Sequence, residues 1–404
     1  MNIRKYYFYS FFKELMPIYP LYLLMFEQKG LSVGQISVLL AIWSVPAVLL
    51  EIPTGVLADH WSRKNLIFLG GFLKAGCYLF WLLFSGFGFY AAGFLLWGIG
   101  GSLQSGSEEA LLYDSLKTEL REDTFDRVYG RGRFLSGIST ILASLLGGYL
   151  GMKFGFSIAL AVSILFALIS AGIAASMREV NLYKGTEVQK DTLKQSVRFL
   201  LGKKDILLFA LISLLVLTTA GVLDEYDQLI AKNFGLSIAL IGGWTAIRFL
   251  LISFGGILAY RIRRRMEKLL HSSDRMLPIL VLCLMAAALL MTAGIFRLLI
   301  FMILYGLYYL IMAAADVIQE DYLQQKIETE GRSTVHSLTA LSTNLYGMIC
   351  YGLFGLVVSR SELFTGITFA GGYIIVWTLI IGAAYLIYKK RSKQITKTED
   401  KDLD

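Results

Sequence analysis

Long apolar runs dominate the sequence, and each is close to the length that a helix needs to cross a membrane. About 20 consecutive apolar residues span the roughly 30 Å hydrocarbon core of a bilayer. Runs of this kind recur from one end of the chain to the other. They predict an all-α integral membrane protein with twelve transmembrane helices. The approximate bounds are 6–26, 34–58, 66–85, 89–112, 133–152, 156–176, 205–230, 238–259, 276–294, 297–319, 334–358 and 364–388.

Composition supports a membrane location and argues against several kinds of site. Of the 404 residues, 56% are hydrophobic and only 17% are charged, which is too apolar for an ordinary soluble domain. The first apolar run follows Lys5 directly and contains no small-residue cleavage site, so we expect a retained helix rather than a signal peptide. Cys77, Cys283 and Cys350 each fall inside an apolar run without metal-ligand spacing. We therefore expect no disulfide, metal or cofactor.

The basic residues indicate how the chain is oriented in the membrane. The net charge is +8, and Lys and Arg concentrate in the segments 117–133, 178–204, 261–275 and 389–404. By the positive-inside rule, this distribution predicts a multi-pass protein of the cell membrane with both termini in the cytoplasm, rather than a nucleic-acid-binding protein. In the second segment, Leu193, Val197 and Leu200 recur at helical spacing among lysines. This spacing predicts an amphipathic helix on the inner membrane surface.

An internal repeat divides the chain into two halves. The tripeptide Gly30-Leu31-Ser32 recurs just over 200 residues later as Gly235-Leu236-Ser237. A shift of 207 residues also places Glu109 on Asp316. The repeat predicts a six-helix half at 1–177, a linker at 178–204, a second six-helix half at 205–388 and a cytoplasmic tail at 389–404. Transporters with parallel repeats place their substrate site between the repeats, near the middle of the membrane.

A loop motif links this organisation to a known family. Residues 55–64 read G-V-L-A-D-H-W-S-R-K. They resemble the signature loop of the major facilitator superfamily, G-x-L-A-D-R-x-G-R-K, and the chain as a whole resembles the family's bacterial drug-efflux-type members. The resemblance implies a monomeric transporter that works by alternating access. It also implies a cytoplasmic gate at Gly55, Asp59, Arg63, Lys64, Asp114 and Arg131. The alternatives are that Arg63 and Lys64 only anchor the loop at the membrane surface, and that Asp114 pairs locally with Lys117.

Ionisable side chains inside the apolar runs are candidates for substrate and proton binding. Burial of a charge in the membrane costs about 2.5 to 3.5 kcal/mol on insertion scales, so such residues should pair, line a cavity or serve transport. Carboxylates in this setting can exchange protons near neutral pH. Glu51 and Lys74 are expected to form a structural ion pair. The candidate substrate and proton sites are Glu14, Glu109, Asp224, Asp227, Arg248 and Asp316. The alternatives are packing carboxylates at Glu109 and Asp316, and a polar helix end at Asp224 and Asp227.

These features together favour export of a small amphipathic or cationic compound by proton antiport. The family's proton antiporters usually carry G-P-x-x-G-G in helix 5, where this chain retains Gly147-Gly148 but has Ala143-Ser144 in place of Gly-Pro. Proton-coupled import of a small nutrient is therefore the first alternative, and a membrane scaffold or receptor is the second. An enzyme is not expected, because the chain has no H-E-x-x-H, G-x-S-x-G or phosphate-binding glycine loop. The expected partners are a small-molecule substrate, protons and the lipid bilayer.

Overall fold

The structure is a computed structural model that describes residues 2–181, 204–269, 274–326 and 332–401. For residues 51–52, 59, 204–206, 323–326, 332–340 and 391–401 it describes the backbone alone. The predicted amphipathic linker helix lies outside the described residues. So does the side chain of Glu51, and with it the predicted ion pair to Lys74.

Helices make up nearly all of the described chain. In chain order they are α1 Asn2–Glu14, α2 Tyr22–Gln28, α3 Val33–His60, α4 Arg63–Leu83, α5 Phe87–Gln104, α6 Ser107–Thr118, α7 Phe125–Phe154, α8 Phe156–Ser176, α9 Lys204–Ile212, α10 Thr218–Glu225, α11 Asp227–Asn233, α12 Ile238–Leu269, α13 Met276–Phe296, α14 Met302–Lys326, α15 Arg332–Ser359 and α16 Leu363–Lys401. The prediction of an all-α chain is confirmed, and ten helical stretches among the described residues are long and apolar enough to cross a membrane.

Three of the predicted transmembrane helices are interrupted. The run 6–26 divides into α1 and α2, because Pro17 and Pro20 cannot continue a regular helix. The run 89–112 divides into α5 and α6 at Gly106, whose φ is +69°. The run 205–230 contains a π-helical segment, Ser213–Leu217, and is broken again between α10 and α11. Continuous helices were therefore the wrong prediction at these three places.

The chain folds into two compact units that do not coincide with the predicted halves. The first unit comprises Met1–Val188, Tyr226–Phe249 and Gly347–Arg360. The second comprises Gln189–Glu225, Leu250–Tyr346 and Ser361–Asp404. Parts of the second sequence half thus pack with the first half in one unit. The division at 177 and 205 stays a prediction about the repeat.

The first unit is built around α4, which packs against α5 and α8, while α1 packs against α7 and α8. Its core is rich in aromatic rings. The ring centroids of Phe26 and Trp81 are 4.9 Å apart, and Phe94 lies 4.9 Å from the same indole. In the second unit, α13 packs against α14 and α16. Rings of Phe209 and Tyr322 stack there at 3.6 Å.

The Gly-Leu-Ser repeat adopts the same local structure in both copies. Gly30 has a φ of +90° and Gly235 a φ of +98°, a left-handed conformation that favours glycine. In each copy the glycine N–H donates to a carbonyl three residues earlier, and the leucine N–H to one five residues earlier. This is the Schellman arrangement that ends a helix. In the first copy Ser32 then caps the next helix, where its side chain accepts from the N–H of Gln35.

Candidate functional site

A three-residue polar cluster lies where α1 meets the interrupted helix α5–α6. The carboxylate of Glu108 accepts hydrogen bonds from Lys13 Nζ at 2.8 Å through each of its oxygens. It also accepts a hydrogen bond from the Tyr9 hydroxyl at 2.5 Å. Tyr9 and Lys13 are four residues apart on α1, so they share one helix face. We call Tyr9, Lys13 and Glu108 the Glu108 cluster.

The break in the fourth predicted helix explains the position of this cluster. Because α5 ends at Gln104 and Gly106 turns the chain, α6 starts afresh at Ser107. Glu108 and Glu109 therefore occupy the first turn of a new helix, whose positive end stabilises carboxylates. Transporters commonly place such half-helix ends at their substrate and ion sites.

Lys74 lies next to the Glu108 cluster, in an aromatic environment. Its ammonium group stands 4.9 Å from the ring centroid of Tyr19 and 5.6 Å from that of Trp97. The same nitrogen is 3.5 Å from the carbonyl oxygen of Lys13. Half-buried Glu14, at the end of α1, interacts electrostatically with Lys13 and Lys74. The aromatic faces therefore hold a cation in the interior of the unit.

The two carboxylates that the repeat aligns have similar exposure. Glu109 is exposed on α6 and accepts a hydrogen bond from the Tyr129 hydroxyl at 2.6 Å. Asp316 is exposed on α14, one turn before Glu320. The helix break is not repeated, because α14 runs without interruption through Asp316. Glu109 thus stands at a helix start and Asp316 within a helix.

A buried polar group surrounds Asp227 at the start of α11. The indole N–H of Trp244 donates to one carboxylate oxygen of Asp227 at 2.9 Å. The Nε atom of Arg248 lies 3.4 Å from the other oxygen, and both side chains are buried. Asp224 is half-buried on α10. Asp224 lies near the end of α10 and Asp227 at the start of α11, with Tyr226 between the two helices.

The signature loop carries a second buried ion pair. Nη1 of Arg63 contacts Oδ2 of Asp114 on α6 at 2.5 Å, and both side chains are almost fully buried. Glu179, just after α8, accepts hydrogen bonds from the backbone N–H groups of Arg63 at 3.0 Å and Lys64 at 3.1 Å. Glu179 therefore caps the start of α4. The loop is tied to α6 in the first sequence half and to Glu179 at the start of the predicted linker.

The remaining gate candidates lie in different surroundings. Gly55 is exposed on α3, with room for a Cβ atom. Asp59 lies on the last turn of the same helix, and its side chain lies outside the described residues. The structure places Arg131 on α7, beside Arg4, Arg121 and Arg127.

Helices of the two sequence halves make close contacts within the first unit, at the end where α2 joins α3. Gln228 accepts a hydrogen bond from the Leu23 N–H at 3.0 Å, and the Tyr226 hydroxyl donates to Ser37 at 2.7 Å. Lys232 Nζ is 2.8 Å from the Glu27 carboxylate. We call this group of contacts, between 23–37 and 226–232, the far-end contacts.

Glycines allow the helices to approach at the same end. A Cβ atom on Gly148 of α7 would lie 2.8 Å from the carbonyl oxygen of Ala239 on α12. A Cβ atom on Gly355 of α15 would lie 2.6 Å from Cβ of Ser37 on α3. Both distances are too short for a real Cβ atom, so either helix pair would have to separate if the glycine were replaced.

Sequence reasoning missed several residues in these groups. Glu108 and Lys13 were not among the predicted site residues, since the break that turns Glu108 toward α1 has no hydropathy signal. Glu179 follows Arg178 in a basic segment, and the charge pattern there gives no sign that Glu179 caps the start of α4. For Glu27 and Lys232 a signal did exist. Each lies three residues before the glycine of its Gly-Leu-Ser copy, so the two are equivalent in the repeat.

Comparisons with known proteins agree with this architecture. Residues 6–351 match the family model described as Major Facilitator Superfamily. A protein of Bacillus subtilis (strain 168), called uncharacterized MFS-type transporter YxaM, is 24% identical over 266 residues. That match covers 62% of this chain and 63% of the relative, which is less than two thirds of the relative's length.

Solved structures with the same fold are transporters. The nucleoside transporter NupG superposes with a TM-score of 0.75 at 14% identity, covering 95% of this chain and 99% of that one. A bacterial homolog of the human lysosomal transporter Spinster gives a TM-score of 0.72 at 14% identity, covering 96% of each chain. The peptide transporter POT in complex with sulfate gives 0.70 at 15% identity, covering 95% of this chain and 94% of that one. At these identities the likeness shows the fold.

Proposed function

The chain belongs to the major facilitator superfamily, and we propose that it exports a small amphipathic or cationic compound by alternating access, as a proton antiporter. The observation that carries the proposal is the Glu108 cluster. It combines a carboxylate with a lysine partner at the start of a half-helix, within one of the runs that the sequence predicts to cross the membrane. One fold serves many functions, so the chemistry of this site, and not the fold, supports proton coupling.

Proton binding at Glu108 would change the cluster in a defined way. The ionised carboxylate holds Lys13 with two charge-assisted hydrogen bonds. Protonation removes the negative charge and leaves the Lys13 ammonium without its counter-charge. Lys13 would then be free to change partners as the helices rearrange. The neighbouring rings of Tyr19 and Trp97 hold the Lys74 ammonium, so a cationic solute could bind these rings by displacing Lys74 from them.

The far-end contacts support the alternating-access part of the proposal. If the termini are cytoplasmic, these contacts lie at the outer side of the membrane. They join the two sequence halves through a few polar pairs and glycine approaches. Such polar pairs can break and re-form as the halves move, as an outer gate requires. Glu14, Glu109, Asp224, Asp227, Arg248 and Asp316 remain proposed substrate and proton sites, and Gly55, Asp59, Arg63, Lys64, Asp114 and Arg131 a proposed inner gate.

Proton-coupled import of a nutrient is the second candidate. The solved structures of the same fold include a nucleoside transporter and a peptide transporter. Of the helix 5 motif typical of antiporters, this chain has Gly147-Gly148 without the preceding Gly-Pro. If the protein is an importer, a nucleoside or a short peptide is therefore the solute that we expect it to carry.

Flux measurements in proteoliposomes test the proposal. A pH-sensitive dye inside the vesicles would report proton movement when amphipathic cations, nucleosides or dipeptides are added singly. We expect an amphipathic cation to evoke proton flux, and Glu108→Gln to abolish that flux while leaving substrate exchange across the membrane. Glu122→Gln removes an exposed carboxylate outside the cluster and serves as the matched control. Proton flux evoked only by nucleosides or dipeptides would overturn export. Full coupling in Glu108→Gln would overturn the assigned proton site.

A further inference from the structure

We propose that a cavity lined by arginines, at the N-terminal ends of α1 and α7, binds the phosphate of an anionic phospholipid headgroup. The cavity has a volume of about 530 Å³ and is lined by side chains of α1, of the segment after α6 and of α7. Small-molecule sites typically measure about 300 to 1,000 Å³, so a headgroup fits. The arginines are Arg4, Arg121, Arg127 and Arg131.

The charge of the cavity favours an anion. Among the described residues, Arg4, Arg127 and Arg131 have no carboxylate within ion-pair distance. Arg121 has Glu119 at 3.8 Å, at a partly exposed position. Four guanidinium groups around one cavity repel one another, and a bound anion would relieve that repulsion. Guanidinium groups bind phosphate oxygens through paired hydrogen bonds, so phosphate is the chemistry that suits them.

The apolar surface beside the cavity indicates that the phosphate belongs to a lipid. Phe8 lies one turn beyond Arg4 on α1 and is 62% exposed. Phe134 lies one turn beyond Arg131 on α7 and is 68% exposed. The stretch that contains α7 is long and apolar enough to cross a membrane, and in both helices the phenylalanine lies further from the N-terminal end than its arginine. A headgroup in the cavity would therefore bring its acyl chains alongside exposed aromatic rings.

Leu120 is a third exposed apolar residue beside the cavity. It is 87% exposed and lies between Glu119 and Arg121, two residues that line the cavity. Its φ of +54° is left-handed, which is uncommon for a residue other than glycine. An exposed leucine in a tight turn next to basic residues suits insertion among lipid chains. Each Lys or Arg near the membrane surface raises the affinity for anionic lipids of the cytoplasmic leaflet about fivefold.

Binding to the purified full-length protein would test the assignment. Thermal unfolding in a neutral detergent would be followed with increasing short-chain phosphatidylglycerol, phosphatidylcholine, inorganic phosphate or glycerol phosphate. We expect stabilisation by phosphatidylglycerol alone. In the double variant Arg127→Gln/Arg131→Gln, the affinity for phosphatidylglycerol should fall about 25-fold, which is about fivefold for each arginine removed. The arginines are exposed and two like charges are removed, so the unliganded double variant should keep the elution volume of the parent and have a Tm at or above that of the parent.

The matched control is Arg133→Gln, which lies on the same helix but two residues from Arg131 and so on another face. It should bind phosphatidylglycerol as the parent does. Equal stabilisation by inorganic phosphate would overturn the lipid in favour of a soluble phosphate. Equal stabilisation by phosphatidylcholine, or unchanged affinity in the double variant, would overturn the site altogether.

Discussion

At the scale of single residues, Glu108 and Glu109 show how much depends on the phase of a helix. The two carboxylates are neighbours in sequence, yet Glu108 binds Lys13 and Tyr9 on α1 and Glu109 binds Tyr129 on α7. Neither direction follows from the apolar pattern, because the turn at Gly106 resets the phase of α6. The repeat alignment singled out Glu109, and the contacts single out Glu108. The sequence shows that charges fall within the predicted helices, while the partner of each charge depends on the helix break.

Loss of one partner from the ion pair between Lys13 and Glu108 should lower the free energy of unfolding more than loss of both partners. Lys13→Met would leave the Glu108 carboxylate without its counter-charge. We expect a loss of about 3 kcal/mol in the free energy of unfolding. This is the lower limit of the range for breaking a buried ion pair, because both side chains are partly exposed. Adding Glu108→Gln should recover most of that loss. Unfolding by SDS titration measures both values. Additive losses in the double variant would contradict direct pairing.

At the scale of elements, most transmembrane helices were predictable, and the exceptions have a common cause. Hydropathy identifies apolar length, and it placed helices correctly wherever the chain is uninterrupted, as in α8 and α13. It does not register where a helix breaks. In the first predicted helix the break is supported by tertiary contacts, since the N–H of Ile18 donates to Ser163 on α8 at 3.1 Å. Proline is tolerated in the membrane for this reason, because neighbours satisfy the freed backbone groups.

Gly147 of α7 is the residue that should be most sensitive at this break. A Cβ atom there would lie 2.1 Å from the carbonyl oxygen of Pro17, so Gly147→Ala must displace α7 from the α1–α2 connection. We expect a loss of about 1 to 3 kcal/mol in the free energy of unfolding, typical of overpacking. Gly137→Ala is the control on the same helix, because nothing lies within 4 Å of its added Cβ. That change should be neutral or stabilising by up to about 1 kcal/mol. Equal losses in the two variants would contradict the close approach.

At the scale of the whole molecule, the repeat explains contacts that no single element does. Gly148 and Gly355 are related by the same 207-residue shift that relates Glu109 and Asp316. Each glycine meets a helix of the other sequence half, α12 for Gly148 and α3 for Gly355. Glu27 and Lys232, equivalent within the repeat, bind each other. Two-fold related pairs of this kind arise when similar halves meet across a pseudo-symmetry axis. The sequence predicted the repeat, but which equivalent residues touch required the folded chain.

Covalent bridging of the far-end contacts should arrest transport. In Glu27→Cys/Lys232→Cys, a reducible bifunctional thiol reagent would join two positions whose native side chains are 2.8 Å apart. Because the bridge ties the sequence halves at their proposed outer gate, we expect solute flux in proteoliposomes to stop and to return on reduction. The matched control is Arg297→Cys/Glu362→Cys, which bridges a native ion pair within the second sequence half. That bridge should leave flux unchanged, because it spans no contact that must open. Unimpaired flux in the bridged Glu27/Lys232 variant would mean that these contacts do not separate during transport, and the proposed outer gate would have to lie elsewhere.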